Sequence, residues 1–176
     1  MDSIKKKAKQ LLVDADSLSL PIDLSKITEF LKIKLAEEVL PNEISGVLDT
    51  RDYNKPIILV NKNQSENRQR FSIAHEIGHF VLHHLDGKVH MDKKVFFRQD
   101  IPNKEDAKKE REANLFAAEL LMPSDILLNK FVNHDSRVIL EYWDNDDFLN
   151  QLAVEFKVSL PAMVIRLQEL KLIPKV

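Results

Sequence analysis

The stretch "RFSIAHEIGHFVLHH", Arg70 to His84, places two histidines four residues apart, with a glutamate directly after the first. On an α-helix, positions i and i+4 lie one above the other on one face, with Cβ atoms roughly 5–6 Å apart. His75 and His79 can therefore direct two imidazole nitrogens at one ion, at Zn–N distances of about 2.0–2.1 Å. Glu76 lies further round the helix, where it can reach a water on the metal. This H-E-x-x-H spacing predicts a metal site with a general base beside it.

Apolar residues accompany the histidine pair at helical spacing, which predicts a buried edge of the helix instead of a solvent face. They are Phe71, Ala74, Ile77, Gly78, Val81 and Leu85. Gly78 costs a helix roughly 1 kcal/mol relative to alanine, so we expect another backbone to approach it closely. An amphipathic helix that carries the histidines by chance is the weaker alternative, because a chance match has a probability on the order of a few per cent.

The remaining histidines are not expected to bind the ion. His83 continues the apolar stripe, but the rise of the helix carries it beyond the metal, so we expect it in the core or behind the ligands. His84, His90 and His134 are expected to be ordinary surface or loop residues.

A catalytic zinc ion needs a third protein ligand and one position left open. The chain has no cysteine, so this ligand is another histidine or a carboxylate. The segment "EDAKKEREANLFAAELLMP" predicts a helix with five acidic residues: Glu105, Asp106, Glu110, Glu112 and Glu119. Glu110 lies nearest to its apolar face, whereas Glu112 and Glu119 lie more than about 100° from the centre of that face.

A carboxylate that faces the core is costly unless it is paired or binds a metal. Glu110 is therefore the preferred third ligand, and Asp106, one turn earlier, is the second choice. Asn114, one turn after Glu110, is placed to accept a hydrogen bond from a ligand histidine. The alternative for Glu110 is a salt bridge at the boundary of the core.

The composition is that of an ordinary soluble protein of 176 residues, with 44% hydrophobic and 31% charged residues and a net charge of −2. It provides no basic field that would attract nucleic acid or an anionic membrane. The absence of cysteine excludes disulfides and thiolate metal sites and fits a reducing compartment. No segment is long and apolar enough for a signal-peptide core or a membrane span, so we expect a cytoplasmic location.

Hydrophobic periodicity predicts one α+β domain over residues 1–176, with a catalytic core to about residue 123 and a helical C-terminal subregion over about 124–176. Four helices are predicted before Pro123: one over residues 3–16, one that begins after Asp23 as N-cap, one over 63–84 and one over 103–121. The helix over 63–84 is predicted to begin with a capping box of Asn63 and Glu66. Three more helices are predicted after Pro123. Between them, "KIKLAEEV", "GVLDTRD" and "IILVN" predict a small, largely antiparallel sheet with "IILVN" as its most buried strand. "KVFF" is a further short strand candidate.

Three blocks of this sequence resemble the ImmA/IrrE family of zinc metallopeptidases: "RFSIAHEIGHFVLHH", "EREANLFAAELLMP" and "LAVEFKVSLPAMVIRLQELKLI". The resemblance runs from about Ile44 to the C-terminus, and its first two blocks are the specific ones. It implies a zincin-like fold in which the small sheet packs on an active-site helix. It also implies a strand beside the cleft that can pair with an extended substrate, and "IILVN" occupies that place in the sequence.

The resemblance further implies the roles of the site residues. His75, His79 and Glu110 would bind Zn²⁺, Glu76 would be the catalytic base, and Asn114 would lie behind a ligand histidine. A second donor to the oxyanion is usual in such sites, and Tyr142, His134 and Arg98 are candidates by residue type alone.

Members of this family cleave helix-turn-helix repressors of prophages, integrative elements or stress-response genes. The resemblance therefore implies a zinc endopeptidase whose partner is such a repressor. Some members carry an N-terminal DNA-binding domain, and the residues before Ile44 are too few for one, which favours a stand-alone protease.

The rival interpretation is a regulatory module that binds a transcription factor or DNA without proteolysis. The tail segment "LAVEFKVSLPAMVIRLQEL" has the spacing of a helix-turn-helix. Its second helix, however, offers only Arg166, Gln168 and Lys171 as polar contacts and no basic stripe. We therefore expect this tail to pack against the protease body, with nucleic acid an improbable partner. A purely structural or inhibitory protein is the third alternative, and it leaves the H-E-x-x-H motif unexplained.

Overall fold

The computed structural model describes residues 2–52, 54–84, 87–93, 104–133 and 146–174. Its helices are α1 (Asp2–Asp14), α2 (Leu24–Phe30), α3 (Glu66–Val81), α4 (Lys104–Leu121), α5 (Ser124–Asn133), α6 (Asp146–Phe156) and α7 (Leu160–Glu169). Its strands are β1 (Lys34–Glu38), β2 (Ile44–Asp49), β3 (Ile57–Asn61) and β4 (Val89–Lys93). The predicted α+β class, with a small sheet and a helical C-terminal region, is confirmed.

The four strands form one sheet in the order β1-β3-β2-β4. β2 is antiparallel to both of its neighbours, and β1 is parallel to β3, so the prediction of a mostly antiparallel sheet is confirmed. The segment "IILVN" is β3, and it lies between β1 and β2. Because both of its edges are hydrogen-bonded, the expectation that this strand pairs with an extended substrate is wrong.

β4 was not predicted, because "VHMDK" alternates without a clear apolar run. It pairs with β2 and forms one edge of the sheet among the described strands. His90 lies opposite Leu48 in this register. Since paired residues share one face of a sheet and Leu48 is fully buried, His90 lies on the covered face. The strand candidate "KVFF" lies outside the described residues.

Helix α3 is shorter at both ends than the sequence predicted. It begins at Glu66 with Ser65 as N-cap, and the Ser65 side chain makes no capping hydrogen bond. The predicted capping box is wrong because Asn63 belongs to a turn, where its N–H donates to Asn61 Oδ1 at 3.1 Å. The helix ends at Val81, and His83 has the left-handed φ of 57°.

Helix α3 is buried on every side over the length of the motif. All eight residues from Ser72 to His79 are buried, so the histidines lie in the interior and not at a buried edge. Gly78 permits this close packing: an added Cβ would lie 3.1 Å from the carbonyl oxygen of Ala113 and 3.2 Å from its Cα. The predicted approach of another backbone is confirmed, and that backbone belongs to α4.

The first helix and the tail complete the core around α4. In α1 the apolar positions Ile4, Ala8, Leu11 and Leu12 are buried, as their helical spacing predicted. In the tail, Phe156, Met163 and Leu167 are fully buried. Within the described ranges no single helix is long and apolar enough to cross a membrane; α6 and α7 meet the length and composition criteria only as a pair across a 98° bend.

A buried ion pair joins the tail to α4. Arg166 is 1% exposed and Glu119 is 0% exposed, and the Arg166 guanidinium donates to the Glu119 carboxylate. Arg166, one of the polar contacts that the rival DNA-binding interpretation named, is therefore buried, which agrees with the expected packing of the tail against the rest of the protein. The placement of Glu119 away from the buried face of α4 is wrong, because its carboxylate pairs with Arg166 of α7 and with Ser124 of α5, and a single apolar stripe does not reveal such partners.

Candidate metal centre

Two helices bring the three predicted ligands together. From α3, the Nε2 atoms of His75 and His79 lie 3.0 Å apart. From α4, Glu110 places Oε2 at 3.3 Å from His75 Nε2 and Oε1 at 3.3 Å from His79 Nε2. All three donor atoms lie within 4.8 Å of one another. Ligands about 2.0–2.1 Å from one tetrahedral ion are separated by about 3.4 Å, so this group could hold a metal ion.

Asn114 lies behind His75, as the sequence predicted. The two residues are joined by a hydrogen bond of 3.0 Å between His75 Nδ1 and Asn114 Oδ1. An amide oxygen accepts only, so His75 carries its proton on Nδ1 when neutral and presents the lone pair of Nε2 toward His79 and Glu110. This is the tautomer that a metal ion requires.

The charges at the centre favour a cation. Burial raises the pKa of Glu110, but hydrogen bonds from the surrounding imidazoles outweigh this effect and hold that pKa far below its ordinary range. Burial, together with the neighbouring histidines, lowers the pKa of His79 to about 4. Glu110 is therefore a carboxylate and His79 a neutral imidazole at pH 7, which are the protonation states of metal ligands.

Glu76 is fully buried beside the ligands, and only one of its two carboxylate oxygens has a hydrogen-bond partner among the described residues. Its Oε2 accepts a hydrogen bond of 3.1 Å from His90 Nδ1. Its Oε1 has no hydrogen-bond partner among the described residues. Burial raises the pKa of this carboxyl group. A buried carboxylate oxygen without a partner is costly, and Oε1 lies next to Gly46 of β2, where an added Cβ would be 3.5 Å from it.

His90 bridges the two acidic residues of the site. Its Nδ1 donates to Glu76 Oε2, and its Nε2 donates to Glu110 Oε1 at 3.0 Å. Burial lowers the pKa of His90, but these two carboxylates outweigh it and raise the pKa to about 10. The prediction of an ordinary loop histidine is wrong. The error follows from the missed strand β4, since its pairing with β2 is what directs His90 toward α3.

The observed locations of His83 and His84 are the reverse of the expected ones. His83 is exposed, so its expected place in the core or behind the ligands is wrong. His84, expected at the surface, is half-buried and contacts both His79 and Glu112. The physical reason is that α3 ends before both residues, so helical spacing no longer describes where they lie.

The other candidates do not join this centre. Asp106, the second choice as ligand, is not in the group that could hold an ion. The three oxyanion candidates Tyr142, His134 and Arg98 lie outside the described residues. An open groove of about 890 Å³ is lined by residues of α1, α3, α4 and α7, including Phe71 and Asn114, and by none of the three candidate ligands.

Two known proteins or families are similar to this chain. The model of the peptidase family described as IrrE N-terminal-like domain matches residues 29–168. Uncharacterized immunity region protein 2 of Bacillus phage phi105 is 31% identical over 128 residues, which are 73% of this chain and 73% of that protein. The family match includes both helices that carry the candidate ligands.

Proposed function

Because this chain belongs to the peptidase family of the IrrE N-terminal-like domain, we propose that it is a zinc-dependent endopeptidase that cleaves a helix-turn-helix transcriptional repressor. The observation that carries the proposal is the convergence of His75, His79 and Glu110 within 4.8 Å, beside the buried Glu76, one of whose oxygens has no hydrogen-bond partner in the described part of the chain. The similarity to a phage immunity region protein supports a repressor of a mobile element as the substrate, with a stress-response repressor as the other case.

In this proposal His75, His79 and Glu110 hold the cation. Two imidazoles and one carboxylate are a known ligand set of catalytic zinc, with a fourth position open. When bound, Zn²⁺ supplies Lewis-acid activation of water and of the scissile carbonyl group.

Glu76 moves the protons of the reaction. Its carboxylate takes a proton from the attacking water while the water oxygen bonds to the carbonyl carbon of the peptide. Glu76 then delivers this proton to the amide nitrogen as the C–N bond breaks, which yields a carboxylate and an amine. His90 donates to Oε2 of Glu76 and to Oε1 of Glu110 and so holds the Glu76 carboxylate beside the metal ligands. The raised pKa of Glu76 improves its match to proton transfer near neutral pH.

We assign the pairing strand to β4 in place of β3. Among the described strands β4 is an edge strand, and it carries His90 beside the centre. An extended segment of a substrate can add to such an edge through main-chain hydrogen bonds.

The test is cleavage of the repressor encoded by the neighbouring gene, in a purified mixture with and without a chelator. Glu76→Gln is expected to retain bound metal and to lose a factor of about 10²–10⁴ in rate, because it removes the general base. Glu105→Gln is the matched control, since Glu105 is an exposed residue of α4. Cleavage by Glu76→Gln at the rate of the unchanged protein would remove Glu76 from the mechanism.

The alternative is a regulatory module that binds its partner and leaves it intact. In the same mixture it predicts a stable complex of the full-length repressor with both the unchanged protein and Glu76→Gln. Its DNA-binding form loses Arg166 as a contact, because that side chain is 1% exposed. A specific loss of the full-length repressor band in the absence of chelator separates the protease from this alternative.

A further inference from the structure

The chain reverses direction at the end of α3 and returns toward the motif. His83 has a φ of 57°, its N–H donates to the carbonyl oxygen of Phe80 at 3.2 Å, and the N–H of His84 donates to that of His79 at 3.0 Å. These two bonds form a Schellman motif, in which the residue after the left-handed one folds back over the last turn of the helix. His84 is thereby placed beside His79, five residues earlier in the chain.

A continuous chain of polar contacts starts from His79 and runs away from the centre. His84 Nδ1 lies 3.1 Å from His79 Nδ1, and His84 Nε2 lies 3.2 Å from Glu112 Oε2. Lys108 Nζ lies 3.8 Å from the other oxygen of Glu112. The His84 side chain is 7% exposed, so water competes little for these bonds.

We infer that His84 and Glu112 are positioning residues for His79, which they hold in the tautomer and orientation that metal binding requires. The inference rests on the proposed function, in which Nε2 of His79 is a ligand. The proton of His79 must then be on Nδ1, from which it donates to His84 Nδ1. The proton of His84 is consequently on Nε2, from which it donates to the Glu112 carboxylate. Only this arrangement satisfies both contacts with neutral imidazoles.

The two ligand histidines are supported by different chemistry. His75 donates to the neutral amide oxygen of Asn114, whereas His79 donates through a second imidazole to a carboxylate. A carboxylate behind a ligand histidine raises the basicity of the imidazole and fixes its orientation. We therefore expect His84 and Glu112 to strengthen metal binding at His79 beyond any contribution they make to folding.

The test measures Zn²⁺ affinity by competition with a chelator, in His84→Phe and Glu112→Gln. His84→Phe is expected to weaken binding about 10–100-fold. Glu112→Gln, which removes only the charge, is expected to weaken it less. The visible spectrum of the Co²⁺-substituted protein is expected to change in both variants, because the field at His79 changes. His83→Asn is the matched control, since His83 is the exposed neighbour and asparagine tolerates the left-handed conformation.

The outcomes separate this inference from a structural role and from the proposed function. Zn²⁺ affinity within twofold of the unchanged protein in both variants, with an unchanged Co²⁺ spectrum, would overturn the inference. An equal loss in His83→Asn would also overturn it, because the effect would then belong to the turn. If His84→Phe does not fold, the Zn²⁺ affinity and the Co²⁺ spectrum of Glu112→Gln alone test the inference. If the unchanged protein binds no Zn²⁺, the proposed function fails instead.

Discussion

Two carboxylates of α4 are directed into the interior, and their surroundings differ. Glu119 is fully buried, and each of its oxygens is paired within the protein. One oxygen accepts hydrogen bonds from the N–H and the hydroxyl of Ser124, at 3.0 and 2.8 Å, and the other accepts from the Arg166 guanidinium. Arg166 also donates to the carbonyl oxygen of Met122 at 3.1 Å. The charge of Glu119 is thus compensated by the fold itself.

Glu110 lies among three imidazoles, of His75, His79 and His90, whose nitrogens lie 3.0–3.3 Å from its oxygens. The neighbouring Glu76 keeps one oxygen without a partner among the described residues. The comparison shows that burial of a carboxylate does not by itself indicate a metal site. What distinguishes Glu110 is that several electron-pair donors converge on one point.

The largest effect is expected on the free energy of unfolding when the buried ion pair between Arg166 and Glu119 is broken. Arg166→Met leaves Glu119 buried and uncompensated, which is expected to lower the free energy of unfolding by about 3–5 kcal/mol. The double variant Glu119→Leu, Arg166→Met is expected to be more stable than either single variant, because no charge is left alone. Urea unfolding in the presence of chelator measures both. Single variants that are as stable as the double one would show that the pair is not coupled.

For Glu110, a substitution is expected to reduce the affinity for the metal ion. Glu110→Gln is expected to weaken Zn²⁺ binding by about 100-fold or more, or about 3 kcal/mol. Added Zn²⁺ should raise the thermal unfolding temperature of the unchanged protein and not that of the variant, because a ligand stabilises the state that binds it. Thermal unfolding with and without Zn²⁺ is the measurement. Equal stabilisation of the two proteins would place the ion elsewhere.

A smaller effect is expected at the contact between the two helices that carry the ligands. Gly78→Ala gains about 1 kcal/mol in helix propensity but introduces a Cβ 3.1 Å from the Ala113 carbonyl oxygen. Overpacking of this kind costs about 1–3 kcal/mol, so we expect a small net loss in the free energy of unfolding, together with weaker Zn²⁺ binding. Urea unfolding and chelator competition check this prediction. A variant more stable than the unchanged protein would show that α3 and α4 can separate at little cost.

The features that were predictable from the sequence are those set by local geometry. The i, i+4 spacing of His75 and His79 holds in any helix, and the helical spacing of the apolar residues in α4 was sufficient to select Glu110 over Asp106. The close approach at Gly78 was predictable because a glycine inside a helix is costly without a reason. The structure brings the predicted ligands together, and their metal-binding role remains a proposal.

The features that were missed depend on contacts between distant segments. His90 acquires its place from the pairing of β4 with β2, and a five-residue strand with mixed polarity gives little signal in one sequence. His84 acquires its place from the turn that ends α3. Glu119 becomes an interior residue because its carboxylate pairs with Arg166 of α7 and Ser124 of α5, which the apolar stripe of α4 does not reveal. In each case the deciding partner lies in another element or in an irregular segment.

The link between Arg166 and Glu119 also limits how this gene can be shortened. A premature stop codon before α7 would remove the guanidinium and leave the Glu119 carboxylate buried without its charged partner, on the same helix that supplies Glu110. The exposed side chains of the tail, such as Val154 and Ile165, are under no such constraint. Substitutions at the exposed positions of α6 and α7 are therefore expected to be tolerated. Arg166, in contrast, is expected to change only together with Glu119 of α4.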